Sequence, residues 1–174
     1  ASVPNFLPAG NVSRPSISSL MSGIYDSGME LNEKEIFWNN TLPTALAAQI
    51  KRLGYQTIYW YGGNSSSGNF TKYGKAQGFD CIENATEFCG PQAPQTWLGV
   101  YDHVFLEEAA KRIVAMDEPT FHFVYTTTNH GPYKLEDKYL DFDARRDLPG
   151  VGDDILNRKD GNKGLATYKY CDKA

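Results

Sequence analysis

The chain has 174 residues, of which 41% are hydrophobic and 22% charged, with a net charge of −4. That length suits one domain with a packed core. The mild acidity and scattered Lys and Arg argue against nucleic acid as a partner, because a phosphate backbone needs clustered cations. No apolar run reaches the ~20 residues of a membrane span, and residues 1–10 lack the basic start and apolar centre of a signal peptide.

In chain order, a hydroxyl residue, Pro15 in the first turn, and Ile17 and Leu20 at helical spacing predict a helix over 13–21, ended by Gly23. Residues 26–38 read as irregular. Thr41-Leu42-Pro43 opens a second helix, with Leu42, Leu46, Ile50 and Leu53 as its apolar stripe and Gly54 as its stop. The β-branched and aromatic run 57–61 reads as a buried strand, and the glycine-rich stretch 62–68 as a flexible loop. A short helix over 69–77 closes at Gly78, and 81–96 reads as loop. Asp102 reads as the N-cap of a helix to about 115, with Phe105, Ala109 and Ile113 on one face. Residues 121–126 form a second buried strand that runs into Thr127-Thr128-Asn129-His130-Gly131-Pro132. Residues 141–164 look irregular, and 165–174 begin a last helix.

Helices alternating with short apolar strands predict an α/β fold with a mostly parallel sheet covered on both faces. Ligands of such sheets bind beyond the carboxyl ends of the strands, which is where the loops after Tyr61 and Thr126 emerge. Two strands are few for a whole α/β domain, a first sign that the chain is part of one. A sheet cut short leaves an unpaired edge, so self-association is also an expectation.

Cys81 and Cys89 bracket a loop short enough to close a disulfide, or are two unrelated thiols; Cys171 is left over. No C-x-x-C pair suggests a zinc ribbon. Five N-x-S/T sequons stand at Asn11, Asn39, Asn64, Asn69 and Asn84.

Three places offer chemistry. A hydroxyl at residue 13, at a helix N-terminus, faces unpaired N–H groups and the positive end of the dipole, where an anionic ester binds; the plain reading is an N-cap serine before proline. His130, on a loop past a strand, suits a hydrogen bond to a phosphate or sulfate oxygen or protonation of a leaving group; the plain reading is a loop pin. The 62–68 loop is not a G-x-x-x-x-G-K-[ST] nucleotide cradle, yet Asn64 and Asn69 offer amide donors to an anion. His122 reads as a core residue and His103 as surface, and the three histidines lack local zinc spacing.

Together these segments resemble the sulfatase family of the alkaline phosphatase superfamily, and within it the lipoteichoic acid synthase-like, phosphoglycerol-transferring branch. Ser13-Arg14-Pro15-Ser16 with Leu20-Met21-Ser22-Gly23 is similar to the family's nucleophile segment. Tyr61-Gly62-Gly63-Asn64 with Gln77-Gly78-Phe79-Asp80 is similar to the stretch after its next strand. Trp97-Leu98-Gly99-Val100-Tyr101-Asp102 is similar to a W-G-x-x-D helix entry. Residues Tyr125 to Tyr133 resemble its T-x-T-N-H-x-P-[FY] segment.

The resemblance implies a three-layer alkaline phosphatase-like sandwich. It implies Ser13 as nucleophile and metal ligand, with His130, Asn69, Asn64 and Arg14 as substrate contacts. It also implies a divalent metal (Mn, Mg, Ca or Zn), a sulfate- or phosphate-ester substrate, and an extracytoplasmic, membrane-anchored parent. Ile17 stands where formylglycine-forming sulfatases carry Arg, so an unmodified Ser13 is expected. Gly68 and Phe70 replace the Trp and Arg that flank Asn69 in the synthase branch. On this reading residues 1–174 are a partial catalytic domain without the N-terminal metal strand and the C-terminal Asp-His segment, inactive alone. The rival is a non-catalytic polyanion- or glycan-binding module on the same fold. A serine hydrolase is disfavoured, since no G-x-S-x-G elbow occurs.

Overall fold

A computed structural model describes residues 8–26 and 28–174. Helix α1 (Ser13–Ser22) buries Ile17 and Met21, one turn apart, along with Ser18, Ser19 and Ser22. Leu20, expected on the inner face, is half-exposed, because the stripe runs through 17 and 21 instead. Gly23 ends the helix at φ 70°, its N–H donating to the Ser19 carbonyl at 2.8 Å.

Helix α2 (Leu46–Lys51) starts later than expected and stops before Leu53, which is 72% exposed. Strand β1 (Gln56–Tyr61) is buried from Thr57 onward. It sits in the middle of a sheet of order β2-β1-β3 with β2 (Cys81–Asn84) and β3 (Thr120–Tyr125). The Gln56 N–H donates to the Pro119 carbonyl and the Gly62 N–H to that of Tyr125, at 3.0 and 2.8 Å. The constant offset makes β1 and β3 parallel. Strand β3 is half-buried rather than buried, since among the described residues it pairs on one side only.

Two segments expected to be irregular are ordered. Residues 81–96 contain β2 and the short helix α4 (Ala85–Phe88). Helix α3 (Phe70–Ala76) precedes them and α5 (Asp102–Val114) follows. Residues 141–164 contain α6 (Ala144–Asp147) and α7 (Asp153–Leu156), and the last helix, α8 (Gly161–Lys173), begins earlier than periodicity suggested. Cys81, Cys89 and Cys171 are free thiols.

The chain forms two compact units. One gathers the described residues up to Tyr59 with Ser65–Glu83 and Met116–Phe123; the other gathers Trp60–Asn64, Asn84–Ala115 and Val124–Ala174. In the first, the Tyr59 ring packs on Phe79 and Phe123 at 5.8 and 5.7 Å. In the second, Trp60 meets Phe88, which meets Phe105, while Tyr61 stacks on Tyr125 at 5.3 Å. Tyr101, Leu135 and Tyr170 form a second apolar cluster there.

Candidate functional site

In the first unit, Val12 is the extended N-cap of α1 and no described side chain caps the helix. Ser13 is therefore the first helical residue, not the cap, and it is exposed. The serine that turns back is Ser16, whose Oγ donates to the carbonyls of Val12 and Gly10 at 2.9 and 3.1 Å. This leaves the Ser13 hydroxyl exposed at the positive end of the helix, where no described side chain caps the backbone N–H groups.

Arg14 and Asn69 meet on one carboxylate that the sequence did not single out. Asn69 Nδ2 donates to Glu33 Oε2 at 2.6 Å, and Arg14 Nη1 lies 3.7 Å from Glu33 Oε1. Asn32, fully buried, locks the arrangement. Its Nδ2 donates to the Gly68 carbonyl at 2.7 Å and to Glu33 Oε1 at 3.2 Å, and its Oδ1 accepts from Ser18 Oγ at 2.9 Å. Gly68 and Asn69 both take left-handed conformations, φ 62° and 54°, where Gly and Asn are the tolerated residues.

The motif 77–80 is structural. Buried Gln77 donates to the carbonyls of Phe37 and Asn40 and accepts from the Leu42 N–H, at 3.0 to 3.1 Å. Gly78 has φ 105°, and a Cβ there would lie 2.7 Å from the Ala48 nitrogen. Asp80 accepts from Thr57 N and Oγ1 at 2.9 and 3.0 Å and pairs with Lys51 at 2.6 Å. Burial raises the Asp80 pKa, but the bonds from Lys51 and Thr57 outweigh it and hold the carboxyl below its ordinary value.

In the second unit, Gly62 and Gly63 are not a flexible cradle. The Val100 N–H donates to the Gly62 carbonyl at 2.9 Å, and Gly63 bridges Gly99. A Cβ on Gly99 would lie 2.1 Å from that carbonyl, so glycine is there for close approach. Asn64 is exposed just beyond.

The segment after β3 is pinned by Asp102, which is buried and does not cap α5 with its side chain. Asp102 Oδ1 accepts from Thr127 N, Thr128 N and Thr128 Oγ1 at 3.2, 3.0 and 2.8 Å. The Cys171 thiol is pushed up to about 12 by burial, by the Asp102 charge and by its hydrogen bond to that carboxylate.

His130 is exposed, its Nδ1–H donating to the Gly131 carbonyl at 2.7 Å, with its ring against Trp97 at 5.2 Å. Because a carbonyl only accepts, Nδ1 carries the proton and Nε2 faces outward as a lone pair, or as a donor once the ring is cationic. His103, expected on the surface, is half-buried, its Nδ1 bonded to the Tyr170 hydroxyl and its ring beside Tyr139. His122 is half-buried in β3, and burial lowers its pKa.

A sulfatase family model matches residues 2–173. The chain belongs to the sulfatase family. It is 26% identical over 136 residues to the lipoteichoic acid synthase of Staphylococcus aureus strain USA300, covering 78% of this chain and 20% of that protein. The same match recurs with the synthase of strain COL.

The lipoteichoic acid synthase LtaP from Listeria monocytogenes superposes with a TM-score of 0.76 at 15% identity, over 95% of this chain and 38% of that one. An alkaline phosphatase superfamily protein from Vibrio parahaemolyticus gives 0.67 at 22%, over 90% and 35%. The α/β fold is thus the one these two proteins have, as the motifs implied. This sulfatase-family chain spans about a fifth of the length of the curated relatives it matches.

Members of the superfamily generally use divalent metals. Among the described residues no group of three or more His, Cys, Asp or Glu is placed to hold one. A lone hydroxyl at Ser13 does not bind such an ion, so the described residues do not fit a metal site. Among them, no helix is long and apolar enough to cross a membrane.

Proposed function

We propose that this sulfatase-family chain is one part of a longer catalytic domain that cleaves or transfers a sulfate or phosphate ester, with Ser13 as the attacking hydroxyl. The observation that carries this reading is the convergence of Arg14 and Asn69 on Glu33, with Ser13, the residue before Arg14, exposed at a helix N-terminus that no described side chain caps. Side chains that already grip one carboxylate are of the kind that orient an anionic ester. The match to lipoteichoic acid synthase supports the phosphoglycerol-type variant of the reaction, and the family match supports the sulfate-ester variant.

Ser13 Oγ forms a bond to phosphorus or sulfur while the bond to the leaving alkoxide breaks, and the serine proton ends on the departing alcohol. Water or an acceptor alcohol then attacks the same atom. Its proton returns to Ser13 Oγ as the second bond breaks, giving the free acid anion or a new ester. In the first unit, Arg14, Asn69 and the uncapped N–H groups steady the anionic oxygens; in the second, Asn64 and His130 each offer an anion a donor of their own, His130 through Nε2–H with the ring cationic. An extracytoplasmic site, membrane anchoring of the complete protein and self-association through a sheet edge belong to the same reading.

The test is Ser13→Ala in the complete protein. Turnover of bis(4-nitrophenyl) phosphate and 4-nitrophenyl sulfate should fall at least about 10³-fold. Undiminished turnover would sink the proposal. A protein that binds such anions but never turns them over would favour the binding-module reading.

A further inference from the structure

We infer that Glu33 selects the charge of the anion this site takes, admitting esters whose transferred group carries one negative charge and disfavouring those that carry two. The inference rests on the proposal that Arg14 and Asn69 face the substrate. The Glu33 side chain is 30% exposed and Arg14 is paired to it, so the cation arrives already half-spent. The carboxylate is held, not swinging: Asn69 grips one oxygen, and Asn32 grips the other while anchored to Ser18 and to the Gly68 carbonyl.

Asn69 keeps a second amide hydrogen for a ligand, because Glu33 takes one of two. An anion bound by that hydrogen and by Arg14 therefore sits against a fixed negative charge. A sulfate monoester or a phosphodiester brings one charge to this position. A phosphate monoester brings two above a pH of about 6 and meets additional repulsion. A screened unit charge at contact range is worth about tenfold in an equilibrium.

Glu33→Gln removes the charge at nearly constant shape: its amide oxygen still accepts from Asn69, and only the longer bond from Asn32, 3.2 Å, is lost. In the complete protein, well above the second phosphate pKa, kcat/KM for 4-nitrophenyl phosphate should rise about tenfold relative to bis(4-nitrophenyl) phosphate and 4-nitrophenyl sulfate. An unchanged ratio overturns the inference, as does an equal loss on all three substrates, which would make Glu33 a mere support for Asn69.

A second measurement needs no variant. Well above the second phosphonate pKa, methanesulfonate and methylphosphonate share a shape but differ by one charge, and the unaltered protein should be inhibited more tightly by the former. Equal or tighter inhibition by methylphosphonate overturns the inference. Failure of the Ser13 reading shows itself separately, as activity surviving Ser13→Ala.

Discussion

Asp102 and Thr128 share three hydrogen bonds, two of them through the threonine hydroxyl: the Asp102 N–H donates to Thr128 Oγ1 at 2.8 Å, and that hydroxyl donates back to Asp102 Oδ1 at 2.8 Å. The pair joins the first turn of α5 to the loop two residues before His130, and both residues are buried. Thr128→Val keeps the shape and removes both bonds, leaving a buried N–H unpaired and a buried carboxylate one donor short. Unfolding stability should fall by about 2–3 kcal/mol, read from urea denaturation, while Thr128→Ser should recover most of it.

Gln77 closes three backbone groups between Phe37 and Leu42 from a fully buried position. Gln77→Leu preserves bulk but strands two carbonyls and an N–H. Stability should drop by about 3 kcal/mol. A loss below about 1 kcal/mol in a urea titration would mean that the 37–42 segment finds other donors.

Asp80 ties its family motif to acid stability. Its carboxyl sits below the unfolded value in the folded chain, burial notwithstanding, because Lys51 and Thr57 favour the anion. A depressed carboxylate contributes stability above its unfolded pKa of about 3.9. That contribution is lost as pH falls through the lower folded value. Asp80→Asn should lower the urea midpoint at neutral pH and flatten its decline on acidification, with the two curves meeting at the acid end.

A lone hydroxyl and no acidic cluster among the described residues predict poor metal retention by the 174-residue chain itself. Calorimetric titration with Mn²⁺ should show no saturable binding tighter than about 10⁻³ M. A micromolar site would mean that ligands outside the described residues complete one.

The sequence carried the parts of the fold that rest on local patterning. The run Thr57 to Tyr61 reads as a strand because five consecutive residues suit a pleated, two-sided burial. Helix α5 announces itself through Phe105 and Ala109, both buried. Strand β2 was missed because Cys-Ile-Glu-Asn has neither alternation nor bulk, and its strand character comes from pairing with β1. The misassigned Leu20 and Leu53 show that an apolar residue at helical spacing still needs a neighbour to bury it.

Of the residues proposed for function, the motifs offered Ser13, Arg14, Asn69 and His130 as candidates, yet nothing local marked Glu33. It lies 36 residues from Asn69 along the chain and enters only once the chain has folded. One cue was available: Asn32-Glu33 pairs an amide with a carboxylate in a stretch otherwise read as irregular.

The crossing of Gly99 over the Gly62 carbonyl bears on how homologous sequences are to be interpreted. With 2.1 Å of room, natural selection has no alternative to hydrogen at that Cα, whatever the protein does. An invariant column at position 99 would then record a collision avoided. Ranking columns by constancy alone would file it next to the proposed nucleophile, and only a substrate-dependent assay tells the two kinds of constraint apart.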